Sequence, residues 1–102
     1  MTYVSVARTG DILPGEVTYV EANDYRLAIC NVNGSFYCIE DTCTHDGGPL
    51  GQGSLIGDLI ECPRHGARFN VVTGQMARMP AVAPVETFPV KVVGDDIMVG
   101  LD

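Results

Sequence analysis

The sequence predicts an all-β, antiparallel domain, sandwich-like or barrel-like, with one long inserted loop region. Short apolar runs separated by turn residues recur along the 102-residue chain, and such spacing is typical of antiparallel sheets. Asn33-Gly34 lies between two of these runs and is the strongest short hairpin signal, because both central residues of a type I′ turn need positive φ. Helical periodicity is weak throughout.

The expected strands, in chain order, span residues 3–6, 16–20, 26–32, 35–39, 59–61, 68–72, 85–93 and 97–101. A two-residue turn at 33–34 pairs Cys30 with Tyr37 and Ile29 with Cys38, which places the two sulfurs on opposite faces of the hairpin. We therefore expect Cys30 and Cys38 to form no disulfide and to act as small buried hydrophobic residues.

Residues 41–57 differ from the rest of the chain. They contain five glycines and show no clear period. Glycine opposes helix formation, and a loop of this length is uncommon in a small domain unless it has a function. This segment is therefore the first place to look for a site.

Composition excludes several classes of protein. The formal charge is −7, from 13 acidic and 6 basic residues, which argues against nucleic-acid binding, since such proteins present a basic face. No apolar run approaches the length of a membrane span, and the first ten residues lack the pattern of a signal peptide. We expect a soluble, cytoplasmic domain, with a monomer as the default.

Both histidines of the chain lie within three residues of a cysteine. The first pair is Cys43-Thr44-His45 and the second is Cys62-Pro63-Arg64-His65, with sixteen residues between the pairs. Two thiolates and two imidazoles suit zinc or an iron–sulfur cluster. The mixed pairs favour a two-iron cluster, because each of two facing loops can give a thiolate to one iron and an imidazole to the other. A structural zinc site is the alternative.

The two pairs, with Gly66 after the second, resemble the cluster-binding boxes of Rieske [2Fe-2S] proteins. The chain is most similar to the small ferredoxins of bacterial aromatic-ring-hydroxylating dioxygenases. Its length, the hairpin at 33–34, Phe69, Thr73-Gly74 and the proline segment 80–84 extend the resemblance over nearly the whole chain. The resemblance implies one Rieske domain over 1–102, an antiparallel sandwich or barrel with a cluster-binding subdomain at about 41–84.

The resemblance also implies one [2Fe-2S] cluster per chain and its ligands. Cys43 and Cys62 would bind one iron, and His45 and His65 would bind the other. The segment 80–84 would cover the flank of the cluster. The glycines that would let backbone N–H groups approach the cluster sulfurs are Gly47, Gly48 and Gly66.

A one-electron carrier is the function that the resemblance implies. The chain would accept an electron from a flavin-dependent, NAD(P)H-dependent ferredoxin reductase and pass it to a terminal oxygenase. It would not be an enzyme by itself. The mononuclear iron of an oxygenase needs further histidines, and both histidines of this chain are already assigned to the cluster. A Rieske-like small subunit of a larger enzyme, such as assimilatory nitrite reductase, is the alternative.

Departures from the high-potential Rieske branch predict a low reduction potential. Gly48 and Arg64 stand where cytochrome bc-type Rieske proteins carry a disulfide between the loops. Ala67 and Phe69 stand where that branch has a Ser and a Tyr whose hydroxyls stabilise the reduced cluster. Each lost donor lowers the potential, so we expect a value nearer about −150 mV than about +300 mV.

Charged residues flank both pairs. Those beside the first are Glu40, Asp41 and Asp46, and those in or near the second are Arg64, Arg68 and Arg78. The simplest expectation is a solvated surface of mixed charge. The functional alternative is a surface that orients a docking partner, because charges at transient interfaces mainly steer approach and register.

Overall fold

The computed structural model describes residues 1–44, 47–64, 66–79 and 83–102. Within these ranges the chain forms eleven strands and one short 3₁₀ helix, Thr9–Asp11. The strands are β1 (Thr2–Arg8), β2 (Val17–Ala22), β3 (Tyr25–Val32), β4 (Ser35–Glu40), β5 (Ser54–Ile56), β6 (Leu59–Glu61), β7 (Arg68–Asn70), β8 (Met76–Arg78), β9 (Thr87–Phe88), β10 (Val90–Val93) and β11 (Asp96–Leu101).

These strands make three antiparallel sheets. The first sheet has the order β1-β11-β10, the second β2-β3-β4-β9 and the third β5-β6-β7-β8. Every strand pair is antiparallel, so the predicted all-β, antiparallel fold class is confirmed. The third sheet lies within residues 54–78. Its first two strands precede the second cysteine–histidine pair, and its last two strands follow that pair.

The second sheet is the centre of the molecule because both of its faces are buried. Side chains alternate between the two faces of a strand. One face contributes Ala28, Cys30 and Ile39 to a core shared with the third sheet. The other contributes Leu27, Ile29 and Cys38 to a core shared with the first sheet. The unbroken apolar run 27–30 in β3 follows from burial on both sides.

The hairpin between β3 and β4 is as predicted. Asn33 and Gly34 have φ angles of 53° and 93°, and the register pairs Cys30 with Tyr37 and Ile29 with Cys38. All four cysteines lie within the described residues, and none of them forms a disulfide.

The prediction of one strand over 85–93 was wrong. Thr87–Phe88 pairs with β4, whereas Val90–Val93 pairs with β11 in another sheet. Pro89 separates the two because it has no N–H to continue a ladder, and its carbonyl accepts a hydrogen bond from the Gly100 N–H at 2.9 Å. The chain therefore passes from the second sheet to the first at this proline.

Two short strands of the third sheet, β5 and β8, were not predicted. Each has three residues, and β5 lies inside the glycine-rich segment expected to be a loop. Three residues carry too little pattern to be recognised locally, and the cross-strand partners on β6 and β7 define both strands. Among the described residues, no helix has the length and hydropathy that a membrane span requires.

Candidate metal centre

Cys43 and Cys62 lie where two strands of different sheets end. Cys43 follows β4 by three residues and Cys62 follows β6 directly. Their exposed fractions are 0% and 1%, and both belong to the core between the second and third sheets. The fold therefore brings the two cysteine loops to one place, although eighteen residues lie between the cysteines along the chain. The other two candidate ligands, His45 and His65, lie outside the described residues.

The two cysteine loops are closed by the same pair of backbone hydrogen bonds. In each, the cysteine N–H donates to the carbonyl five residues later: Cys43 to Gly48 and Cys62 to Ala67, both at 2.7 Å. In each, a glycine four residues later donates back to the cysteine carbonyl, and these glycines are Gly47 and Gly66. Both glycines have a φ of 76°, a conformation that L side chains rarely adopt.

This equivalence was not visible in the spacing of the pairs. One pair is Cys-x-His and the other Cys-x-x-His, so the ligand positions differ by one residue. The glycine, however, lies four residues after the cysteine in both loops. That common spacing is the signal in the sequence from which the equivalence could have been found.

A third segment packs beside the cysteine loops. The Thr44 hydroxyl donates to the Ala83 carbonyl at 2.7 Å, which ties the first loop to the end of segment 80–84. The Val85 N–H donates to the Gly74 carbonyl at 2.7 Å, which fixes the same segment to the turn after β7. Ala83 thus lies near the first loop. Residues 80–82 lie outside the described residues, so the expected covering of the cluster stays a prediction.

The charged residues around the loops differ in their exposure and in their partners. The expectation of a solvated surface was wrong for Asp41, which is only 4% exposed and accepts a hydrogen bond from the Gly51 N–H. Glu61 pairs with Arg68 at 2.7 Å, and Arg78 approaches the same carboxylate at 4.0 Å. Arg64 is exposed, and Asp46 lies outside the described residues.

The other two cysteines, Cys30 and Cys38, lie in β3 and β4, outside the two cysteine loops. Burial raises the pKa of Cys30 to about 12, with the Asp41 carboxylate adding to the shift. Burial also raises the pKa of Cys38, to which Cys30 contributes. Both thiols are therefore held neutral at ordinary pH, and their backbone positions place them on opposite faces of the hairpin. The predicted role of small buried hydrophobic residues is confirmed.

The donor chemistry fits an iron–sulfur centre. Two buried cysteines outside any disulfide lie in equivalent loops, and thiolates are the ligands that iron–sulfur clusters and zinc share. In the part of the chain that the structure describes, no three His, Cys, Asp or Glu side chains group as a metal site. The two described cysteines are half of the expected donor set, and the two histidines are the other half.

Comparison with known proteins distinguishes an iron–sulfur cluster from a zinc site. A model of the Rieske [2Fe-2S] domain family matches residues 2–89. The ferredoxin component of biphenyl 2,3-dioxygenase from Rhodococcus jostii (strain RHA1) is 39% identical over 102 residues, which cover 100% of this chain and 95% of that protein.

Two solved structures carry the same fold. The ferredoxin of carbazole 1,9a-dioxygenase from Nocardioides aromaticivorans IC177 superposes with a TM-score of 0.95 at 32% identity, covering 100% of both chains. A chain in the complex of reduced oxygenase and oxidised ferredoxin of carbazole 1,9a-dioxygenase has a TM-score of 0.90 at 40% identity, covering 95% of this chain and 91% of that chain.

The match to ferredoxins extends over the whole chain and includes both cysteine loops. The chain is therefore an electron-transfer protein with one [2Fe-2S] cluster, rather than an enzyme by itself. Family model, relatives and fold agree, and this chain belongs to the Rieske [2Fe-2S] family.

Proposed function

We propose that Cys43 and Cys62 bind one iron of the cluster and that His45 and His65 bind the other. The observation that carries this proposal is the equivalence of the two cysteine loops, which present two buried cysteines from one core. Each loop also carries one histidine within three residues of its cysteine. When bound, the cluster supplies the one-electron chemistry, and the protein supplies ligands, orientation and electrostatics.

The residues around the cysteines set a low reduction potential. Ala67 and Phe69 are both 0% exposed and share the core with the two cysteines. Neither side chain has a hydroxyl that could donate to a sulfur, so the reduced state lacks the stabilisation that such a donor gives. A carrier of this kind accepts an electron less readily and gives it up more readily than a high-potential Rieske protein.

We propose that a flavin-dependent ferredoxin reductase is the electron donor and that a terminal ring-hydroxylating oxygenase is the acceptor. The support is that the matched carbazole ferredoxin occurs in a complex with its oxygenase. Redox encounters use small interfaces, which suits a monomer that meets two partners in turn. Four cysteines without a disulfide suit a reducing compartment such as the cytoplasm.

We propose the domain organisation that goes with this function. Residues 1–102 form a single domain, and residues from about 41 to 84 form the cluster-binding subdomain. The support is that both cysteine loops and the third sheet fall within that range. The first and second sheets then serve as the scaffold on which the subdomain is held.

A small subunit of a larger enzyme, such as assimilatory nitrite reductase, is the less supported function. The relatives that match this chain over its full length at 39% and 32% identity are both ferredoxins of dioxygenases. A subunit of that kind is expected to remain bound to a large partner. A carrier is expected to purify alone.

Reconstitution tests the proposed function directly. The purified protein is mixed with NADH, the flavoprotein reductase and the terminal oxygenase of a biphenyl dioxygenase system, and product formation is measured. We expect product to form only when the chain is present. The variant Cys43→Ala should abolish transfer, whereas the matched control Cys38→Ala, at a buried cysteine outside the ligand set, should retain it.

Two results would count against the carrier. One is a cluster-loaded protein that the reductase cannot reduce and that supports no oxygenase turnover. The other is stable co-purification with a large subunit from the native cells, which would favour the nitrite reductase type of role.

A further inference from the structure

Each cysteine loop is preceded by a carboxylate that contacts a residue one to three positions beyond the other end of the same loop. Asp41 lies two residues before Cys43, and its side chain accepts a hydrogen bond from the Gly51 N–H. Glu61 lies directly before Cys62, and its side chain accepts a hydrogen bond from Arg68 Nε at 2.7 Å. We call these two contacts, Asp41–Gly51 and Glu61–Arg68, the loop clasps.

The first loop clasp has a buried carboxylate and a close contact with Gly51. Asp41 is 4% exposed, and its own N–H donates to the Arg26 carbonyl of β3 at 2.9 Å, which fixes the carboxylate to the second sheet. A Cβ atom on Gly51 would lie only 3.2 Å from Asp41 Oδ1, so the close approach depends on glycine. Hydrogen bonds to an ionised acceptor are stronger than neutral ones, and removing a buried partner is costly.

The second loop clasp is partly exposed and is built from a cross-strand pair. Glu61 and Arg68 are register partners on β6 and β7, and their side chains are 32% and 29% exposed. Arg78 on β8 lies 4.0 Å from the same carboxylate. Solvent screens this pair more than the first, so its effect should be the smaller of the two.

The two loop clasps are connected through backbone packing between Gly53 and Glu61. Gly53 donates its N–H to the Leu50 carbonyl at 2.9 Å, so the end of the first loop is folded back on itself. A Cβ atom on Gly53 would lie 2.0 Å from the Glu61 carbonyl oxygen. The end of the first loop therefore packs directly on the backbone from which the second loop begins.

We propose that Asp41 and Glu61 are positioning residues of the cluster centre. Each carboxylate joins the two ends of one cysteine loop and so fixes the position of that loop's cysteine sulfur. Neither carboxylate belongs to the proposed ligand set. The inference rests on the proposed ligand set, because it concerns how those ligands are held in place.

The test compares variants that remove the acceptor with variants that keep it. Asp41→Ala and Glu61→Ala delete the acceptor oxygen, whereas Asp41→Asn and Glu61→Gln keep an acceptor oxygen and lose the charge. The measured quantities are the rate of cluster loss in excess chelator, followed by visible absorbance, and the EPR line width of the reduced protein.

We expect Asp41→Ala to lose the cluster at least about fivefold faster than the parent protein, with broadened EPR lines, since the sulfur position becomes less well defined. Glu61→Ala should show the same changes to a smaller degree. Asp41→Asn and Glu61→Gln should stay within about twofold of the parent, because the amide oxygen accepts the same hydrogen bond.

Matched controls separate the loop clasps from a general loss of acidic or basic groups. Asp58→Ala removes a carboxylate that bonds Asn70 at 3.2 Å, at the end of β6 remote from Cys62, and should leave the rate unchanged. Arg78→Ala should also have little effect. The double variant Glu61→Ala/Arg68→Ala should lose the cluster no faster than Glu61→Ala, because both changes break one contact.

The outcomes distinguish this inference from the proposed function. A parent protein without a Rieske-type EPR spectrum would overturn the proposed ligand set. A parent protein with that spectrum, whose alanine variants lose the cluster at the parent rate, would overturn only the positioning role. The positioning role is also overturned if the amide variants behave like the alanine variants, because charge rather than the hydrogen bond would then be responsible. If Asp41→Ala does not fold, the Glu61 and Arg68 variants decide.

Discussion

At the scale of single residues, the four cysteines divide into two kinds with different surroundings. Cys43 and Cys62 begin loops that are closed by backbone hydrogen bonds, whereas Cys30 and Cys38 lie inside regular strands. All four are buried, so burial alone does not identify a ligand. Loop geometry does.

We predict that iodoacetamide will not alkylate Cys30 or Cys38 in the folded protein at pH 8. Their exposed fractions are 0% and 1%, and burial raises the pKa of Cys30 to about 12, so almost no reactive thiolate is present. Peptide mapping by mass spectrometry measures the modification. The same reaction in guanidinium chloride should modify both, and rapid labelling of either in the folded state would contradict this placement.

We predict that Ala67→Ser and Phe69→Tyr will each raise the reduction potential. A hydroxyl that donates to a sulfur stabilises the reduced cluster more than the oxidised one. A difference of about 1.4 kcal/mol corresponds to about 59 mV for one electron, so shifts of roughly this size are expected in a redox titration. The control Ala67→Gly, which changes the side chain without adding a hydroxyl, should not raise the potential, and a parent value strongly above zero would refute the expected low potential.

At this scale, the candidate ligands could be proposed from the sequence, but the residues that support their loops could not. A cysteine with a histidine close behind it is a local pattern. The contact of Asp41 with Gly51 forms only because the fold brings together the two ends of the segment 41–51. For this reason Asp41 was expected to be solvated, and it is buried.

At the scale of secondary-structure elements, side-chain alternation and turn-forming residues correctly predicted the hairpin of β3 and β4. The Asn33-Gly34 turn determined the register of β3 and β4, and the structure has that register. The turn at Asn23 and Asp24, both with positive φ, is a similar turn between two paired strands. Three-residue strands leave too few residues for a period to be recognised, and β5 and β8, unlike the equally short β6 and β7, contain no buried residue.

We predict that Gly74→Ala will destabilise the protein more than Gly94→Ala. Both glycines have positive φ, but a Cβ atom on Gly74 would lie 2.3 Å from the Val85 carbonyl oxygen, whereas one on Gly94 meets nothing within 4 Å. The steric overlap should cost about 1–3 kcal/mol beyond the cost of positive φ. Urea unfolding of the two variants measures the difference.

Gly74 also supports the segment beside the first cysteine loop, so its replacement should act on the metal centre. The Val85 N–H binds the Gly74 carbonyl, and Ala83 two residues earlier accepts from Thr44. Cluster loss should therefore be faster in Gly74→Ala than in Gly94→Ala. Equal stability and equal cluster retention in the two variants would contradict the contact of Gly74 with Val85.

At the scale of the whole molecule, charge and fold together suit a small carrier. The apoprotein has a formal charge of −7. In a cluster with two cysteine ligands, the two thiolates cancel the +2 of the oxidised core, so the oxidised protein stays near −7 and the reduced protein is near −8. A cluster with two cysteine and two histidine ligands would thus gain its electron from a formally neutral state.

We predict that electron transfer from the reductase will slow as ionic strength rises. An acidic protein that is steered to its partner by long-range attraction loses that attraction as salt shortens the Debye length from about 30 Å at 0.01 M to about 8 Å at 0.15 M. Stopped-flow reduction at several salt concentrations measures the effect. Rates that do not change with salt would show that charge does not steer the encounter.

EPR spectroscopy of the reduced protein tests the central claim, that two cysteines and two histidines hold one [2Fe-2S] cluster. We expect a Rieske-type signal, together with strong coupling to two histidine nitrogens in pulsed experiments, and two irons and two sulfides per chain by chemical assay. A protein that binds one zinc, or a cluster signal without nitrogen coupling, would contradict it.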